Sequence, residues 1–432
     1  MGYSIFQKKT DKVVAELLAE DMSDKRDISQ FGNQKNLSIQ HYLIKMLHRK
    51  LEGVDKNTQW EAFCVILSMV DWAQAFDRQS HKLGVESFIE NGVRPALIPV
   101  LISFFENRKM KVKWKGLTSS SRNLNGGGPQ GGILGIEEYL SQSNGNSNFL
   151  TEEEKFKFID DLSMLEIINL VSVGISSYNF KAHVASDIGV DNSYLPAENI
   201  KTPGYIKSIE EWTNQKQMKL NSEKTKYMVI NMTNNYQINT RLHMEENVLT
   251  QVSETRLLGV ILRDDLSFKS NTDFITKKAY KRMSILHKLC QFNVPTEDLV
   301  NIYILYIRSV LEQSATVWHS SITKGEQRDI ERVQKCALRI ILKGQYDSYE
   351  NALQMCGVDS LKSRRTQLCL NFARKCIKHE KMLEMFPLNS SDCTTRNKDK
   401  YRVTFAYTGR FANSAIPYMQ RLLNLSLSQK KN

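Results

Sequence analysis

The sequence predicts an α+β fold: a strand-containing core with intervening helices, followed from Thr272 by an almost wholly helical, basic end. Three observations carry this expectation. Short apolar runs such as Phe63 to Val70 and Tyr227 to Ile230 have the length and β-rich composition of strands. Apolar residues recur at helical spacing between these runs and after them. The charge is one-sided: residues 271–432 hold 27 Lys and Arg against 14 Asp and Glu, while residues 1–270 hold 32 against 33.

In chain order, Lys12 to Leu18 and Ser38 to Leu51 carry helical apolar stripes, separated by a polar loop, Gln30-Phe31-Gly32-Asn33-Gln34-Lys35-Asn36. The run Phe63 to Val70 reads as a strand ending at Asp71. Helical patterns follow from Lys82 to Asn91 and from Leu97 to Phe105, with Pro95 as the break. Lys111-Val112-Lys113-Trp114-Lys115 alternates and reads as a strand. Asn125 to Gly132 (NGGGPQGG) is a loop that something can approach closely, but it lacks both phosphate-loop spacings. Lys155 to Ile159 and Leu162 to Leu165 read as two strands, which sets Asp160-Asp161 at a hairpin tip. Residues 176–205 read as a loop-rich insertion. Ile206 to Met218 is helical, and Arg256 to Leu262 reads as one further strand.

The Asp160-Asp161 pair is the most informative feature. Adjacent carboxylates repel and resist desolvation unless a cation lies between them. Asp71, at the end of another strand, supplies a third acid. Three acids at the ends of two strands suit a two-metal phosphoryl-transfer site, and an Asp pair also suits an ordinary solvated turn. In the basic end, Arg328, Arg332, Lys335, Arg339 and Lys343 recur every three or four residues along one helix, opposite Ile330, Val333, Ala337, Ile340 and Ile341. Like charges so spaced destabilise a helix by about a few tenths of a kcal/mol per pair, so a polyanion partner is expected; a solvated face is the plainer reading.

At 432 residues the chain has room for two or three folding units. No apolar run approaches a membrane span, and the first 25 residues mix both charges, so a protein of the nucleus or cytoplasm is expected rather than a secreted one. The seven cysteines, odd in number and scattered, suit a reducing compartment. Cys369, Cys376, His379 and Cys393 loosely suggest a zinc knuckle but match no standard spacing. Buried thiols are expected there.

Taken together, Asp71-Trp72-Ala73-Gln74-Ala75-Phe76-Asp77, Gly128-Pro129-Gln130-Gly131, Phe158-Ile159-Asp160-Asp161 and Leu220 to Lys226 (LNSEKTK) resemble, in order and spacing, the palm motifs of reverse transcriptases of non-LTR, LINE-like retrotransposons. Gln30 to Lys35 looks like the fingers motif before them, and Arg256 to Val260 like the strand closing the palm. Tyr306 to Glu312 and Val317-Trp318-His319 look like the thumb. The resemblance runs from about residue 25 to 425.

It implies a right-hand polymerase: partial fingers over residues 1–60, an antiparallel palm over 61–270, a helical thumb over 271–350 and a basic helical region over 351–432. Asp71 and Asp160 would hold two Mg²⁺ ions (or Mn²⁺), with Asp161 completing the cluster. Phe76 would crowd a ribose 2′-hydroxyl, Gln130 and Gly131 would lie against the incoming nucleotide, and Lys224 would protonate pyrophosphate. RNA template, DNA primer and dNTPs are the implied partners, with the basic helices tracking phosphates and no membrane involved. The sequence does not indicate an oligomeric state. No basic fingers strand is found before Gln30, and Gly132 stands where a Ser or Thr is common, so a polymerase frame truncated at its N-terminus is expected. A catalytically silent nucleic-acid-binding remnant and a two-metal nuclease are the competing readings.

Overall fold

The computed structural model describes residues 5–57, 63–106, 108–124, 126–128, 132–169, 199–231, 240–389 and 400–429. Helices α1 (Ile5–Asp21) and α2 (Ile39–Asn57) lead into strand β1 (Phe63–Val70). Helices α3 (His81–Glu90) and α4 (Ile98–Phe105) follow, then four two-residue strands, β2 (Lys109–Met110), β3 (Lys113–Trp114), β4 (Leu117–Thr118) and β5 (Arg122–Asn123). Next come α5 (Ile133–Gln142), β6 (Lys155–Phe158), β7 (Asp161–Asn169), α6 (Thr202–Gln215) and β8 (Lys226–Asn231). Five short strands lead to the helical end: β9 (His243–Met244), β10 (Asn247–Val248), β11 (Thr250–Gln251), β12 (Glu254–Leu257) and β13 (Val260–Arg263). The helical end holds α7 (Lys269–Gln291), α8 (Thr296–Ile302), a π-helical turn at Tyr303–Arg308, α9 (Ser309–Leu311), α10 (Ala315–Trp318) and α11 (Lys324–Leu342). It closes with α12 (Tyr349–Met355), α13 (Leu361–Cys376), α14 (Glu380–Leu383), α15 (Gly409–Ala412) and α16 (Ala415–Ser428).

The expected α+β architecture is present. One sheet, in the order β11-β8-β1-β7-β6, is mixed rather than wholly antiparallel, because β11 lies parallel to β8. β1 occupies the centre, antiparallel to both β7 and β8. Its all-apolar stretch Cys64 to Leu67 is fully buried, since helices cover both sheet faces. Each such side chain contributes on the order of 1.5–3 kcal/mol on leaving water.

Three elements differ from the sequence expectation. The run Arg256 to Leu262 is not one strand but the hairpin β12–β13, turned at Leu258 (φ 46) and Gly259 (φ 89). Lys111 to Lys115 is not one regular strand but part of a short ribbon, β2–β5. Most of residues 176–205 lie outside the described residues; from Thr202 the chain is already helical. In β6 the lysines of Lys155-Phe156-Lys157-Phe158 do not face water. Lys155 Nζ and Lys157 Nζ lie 3.2 and 3.4 Å from Asp27 Oδ2 and donate to the carbonyls of Ser147 and Ser143. The polar segment after α5 thereby supplies acceptors for two buried cations.

In the helical end, Trp318 is fully buried with its indole N–H donated to Gln313 O, and the buried His319 ring accepts from Arg365 Nε. Cys369 and Cys376 are buried core thiols, both pushed up to about 12 by burial; Cys393 lies outside the described residues. The two ends of the chain meet: Asp55 accepts from Tyr407 N, Thr408 N and Thr408 Oγ1, and Lys381 Nζ donates to Gln30 O at 2.9 Å. Among the described residues, no helix is long and apolar enough to cross a membrane.

Candidate active site

Strand register builds the site. Val70 pairs with Leu162 and Met69 with Lys226. The next residue beyond β1, Asp71, is therefore level with Asp161 on one side; on the other, the chain turns at residues 222–224 before entering β8, and Asn221 rather than Lys224 bonds to the Asp71 backbone. Phe158 pairs with Asp161, which leaves Ile159-Asp160 as a two-residue turn. Asp71, Asp160 and Asp161 are thus brought to one end of the sheet, and Lys224 lines the same cleft as Asp71 and Asp161. Asp71 is fixed by its backbone: its N–H donates to Thr225 Oγ1 at 3.1 Å and its carbonyl accepts from Asn221 N at 2.9 Å.

The electrostatics are those of crowded, half-buried negative charge. Burial raises the Asp71 carboxyl, with Lys224 and Asn221 opposing. Burial and then the Asp71 charge raise Asp160. Asp161 is pushed up to about 6, by burial first and then by Asp160 and Asp71. Such a cluster calls for cationic charge. Lys224, Lys226 and Arg256 line the same cleft as Asp71 and Asp161; the latter two cations were not anticipated from the sequence.

The donor set, three carboxylates, suits a hard divalent cation. As they stand, however, no three metal-ligating side chains among the described residues converge closely enough to hold one. The chemistry of the residues fits a metal, while the geometry is not a closed cage.

Phe76 packs on Tyr139 with ring centroids 5.0 Å apart. Tyr139 is buried, and its phenol is raised by that burial and by the charges of Asp160 and Asp161. Gly128 N donates to Phe76 O at 2.8 Å, tying the glycine loop to the segment after Asp71. Gln130 and Gly131 lie outside the described residues. The basic stripe stands on α11, away from this edge, and is partly used within the fold. Arg332 pairs with Asp329, Lys335 and Arg339 lie over Tyr349 and Tyr346, and Lys343 Nζ donates to Cys290 O. Arg328 is exposed.

One positioning residue carries more than its sequence suggested. Ile159 has φ 58, a left-handed conformation that disfavours a β-branched residue by about 1–3 kcal/mol. The buried Gln30 holds it there. Gln30 Oε1 accepts from Ile159 N at 2.9 Å and from Gly32 N at 2.8 Å, and Nε2 donates to Ile159 O at 3.3 Å. Gly32 lies so close that a Cβ would stand 2.5 Å from Ile159 N. Beneath the hairpin, Tyr42 donates to Ser163 Oγ at 2.6 Å and meets Phe156 and Phe158 edge-on.

No family model matches the chain. Over 349 residues it is 21% identical to a probable RNA-directed DNA polymerase from transposon BS of Drosophila melanogaster, covering 78% of this chain and 35% of that protein. Over 246 residues it is 26% identical to the RNA-directed DNA polymerase from mobile element jockey of Drosophila funebris, covering 56% of this chain and 24% of that protein. The chain is a distant homologue of non-LTR retrotransposon reverse transcriptases. It spans about a third or less of the length of these reverse transcriptases. Among solved structures, apo telomerase from Candida tropicalis aligns with 87% of this chain and 55% of its own at 13% identity and a TM-score of 0.42.

Proposed function

We propose that this chain is an RNA-directed DNA polymerase core that extends a DNA primer on an RNA template. The observation that carries this reading is the register that sets Asp71 level with Asp161, beside a turn bearing Asp160, with Lys224 lining the same cleft. In this reading residues 61–270 are the palm, residues 1–60 part of the fingers, residues 271–350 the thumb and residues 351–432 a basic C-terminal region.

Asp71, Asp160 and Asp161 would hold the divalent ions, Mg²⁺ or Mn²⁺, which supply Lewis acidity toward the primer hydroxyl and the triphosphate when bound. The 3′-oxygen would give up its proton to solvent and bond to the α-phosphorus as the bond to pyrophosphate breaks. Lys224 would neutralise or protonate that leaving group, a role supported by its lining the cleft with Asp71 and Asp161, to which Lys226 and Arg256 add positive charge. Phe76, braced by Tyr139, is the residue that would crowd a ribose 2′-hydroxyl. Gln130 and Gly131 are assigned to the incoming nucleotide, and the exposed cations of α11, Arg328 foremost, to template–primer phosphates.

Primer extension on an RNA template with Mg²⁺, comparing wild type with Asp160→Asn, tests the reading. Extension by wild type alone supports it; equal background in both removes it. The second reading, a nucleic-acid-binding protein without catalysis, rests on the one-sided positive charge of the helical end. It predicts oligonucleotide binding, steeply weakened by salt, with no extension in either protein.

A further inference from the structure

The ribbon from Lys109 to Asn123 has no part in the site described above. β2 pairs with β5 and β3 with β4, and the chain reverses at Lys115-Gly116, both at positive φ as a two-residue hairpin turn requires. Between the two pairs, Val112 N donates to Ser119 Oγ and Ser119 N to Val112 O, both at 2.9 Å. Ser120 and Ser121 then stand opposite Lys111 alone, which makes a bulge. Every residue from 109 to 123 is exposed.

Two properties coincide there. Residues 108–124 carry six cations and no acid. Within each two-residue strand a lysine and an apolar residue face opposite ways, Lys109 against Met110 and Lys113 against Trp114, with Lys111 and Val112 between them. Trp114 is 71% exposed, and Leu117, its cross-strand partner, is 77% exposed. An exposed indole in a segment this rich in lysines, whose long stems can reach round a narrow two-stranded ribbon, matches a ligand that offers flat rings and regular negative charge together. The root of the ribbon is anchored at the site: Leu124 N donates to Arg108 O, and the glycines that follow donate to Gln79 O and Phe76 O.

We propose that this ribbon binds single-stranded nucleic acid, with Trp114 stacked on a base and the lysines facing the phosphates. The inference deepens the polymerase reading, since the strand would be template near the site, but its test requires no polymerisation. The full chain is titrated with a fluorescein-labelled oligouridylate at several salt concentrations, as wild type, Trp114→Ala and the double variant Lys111→Glu, Lys113→Glu. All three are first compared by circular dichroism and thermal melting, which an exposed ribbon leaves unchanged. Trp114→Ala should weaken binding about tenfold, within the range of one lost base stack. The double lysine variant should weaken it further and flatten the salt dependence of log K by roughly 1.4. Wild-type affinity in both variants overturns the ribbon proposal and leaves the polymerase reading standing. Failure of wild type to bind overturns both. A change in self-association or protein capture without a change in oligonucleotide affinity assigns the ribbon to a protein partner and also overturns the proposal.

Discussion

Gly32→Ala is the substitution whose effect the structure specifies most closely. Its added methyl carbon would stand 2.5 Å from Ile159 N and from Ile159 Cγ1, and 3.1 Å from Gln30 Oε1. Carbon atoms rest at about 3.5–4.0 Å from their neighbours, so the turn must recede by about 1 Å. It cannot do so freely. Ile159 N–H is held by Gln30, and the residues on either side of the turn, Phe158 and Asp161, are paired to each other. Overpacking of this kind costs about 1–3 kcal/mol. Because the displaced backbone carries Asp160, a misplacement near 1 Å should also slow chemistry about 10²-fold. Gly53→Ala is the control: its Cβ would meet Ile167 Cδ1 at 2.2 Å, but that is the end of a rotatable side chain rather than backbone. Urea denaturation and single-turnover primer extension measure the two effects. Gly32→Ala should lose both stability and rate, and Gly53→Ala should lose little of either. Equal losses in the two variants would refute the argument that a backbone approach at Ile159 is what Gly32 permits.

Two further outcomes follow from buried titratable groups. Lys50 is fully buried, its Nζ has no hydrogen-bond partner among the described residues, and burial brings it down to about 7, with Asp264 opposing. The unfolded chain keeps this proton to about pH 10, so stability should rise from about pH 7 to 10; below about pH 7 the penalty is complete. Lys50→Met should stabilise on the order of 1–4 kcal/mol at neutral pH and flatten that rise in urea melts; an unchanged slope speaks against a neutral buried lysine. His319 is brought down to about 3 by burial, then by Arg365 and Lys362, and its Nδ1 accepts from Arg365 Nε at 3.2 Å. An unfolded histidine takes up a proton near pH 6.5, so this group should cost stability progressively as pH falls from about 6.5 toward 3. His319→Gln should be less stable than wild type at neutral pH, with a gap that narrows by about pH 5 in denaturant melts; a constant gap would remove His319 from the acid limb.

The sequence made the sheet's core and the placement of the acids legible for local reasons. Phe63 to Val70 is too apolar to be anything but buried, and Asp71 and Asp160-Asp161 interrupt apolar runs where strands must end. What it could not show depended on distant partners. Gln30 reads as a polar loop residue, yet its side chain serves Ile159, 129 positions later. The run Lys155 to Ile159 reads as a strand, but nothing near it in sequence shows that its lysines are buried against Asp27 and the carbonyls after α5. In Arg256 to Leu262 the break falls at Leu258-Gly259; the glycine suits a turn, but Leu258, a residue type with no turn preference, continues the apolar run, so composition suggested one strand where there are two. The periodicity of the α11 stripe was legible. That Lys335, Arg339 and Lys343 are partly used by Tyr349, Tyr346 and Cys290 was not, because those partners lie on neighbouring segments.

The bond from Lys381 to the carbonyl of Gln30 spans 351 positions, and it has a consequence for synthesis. A ribosome adding about 5–20 residues per second delivers Lys381 roughly 20–70 s after Gln30. Through that interval the nascent chain holds the segment that grips the Ile159 turn without its outer brace, and Asp55 waits as long for Thr408. Final closure of the site edge therefore waits for Lys381 and Thr408 to be made, and it comes well after the strands that carry the acids have left the ribosome.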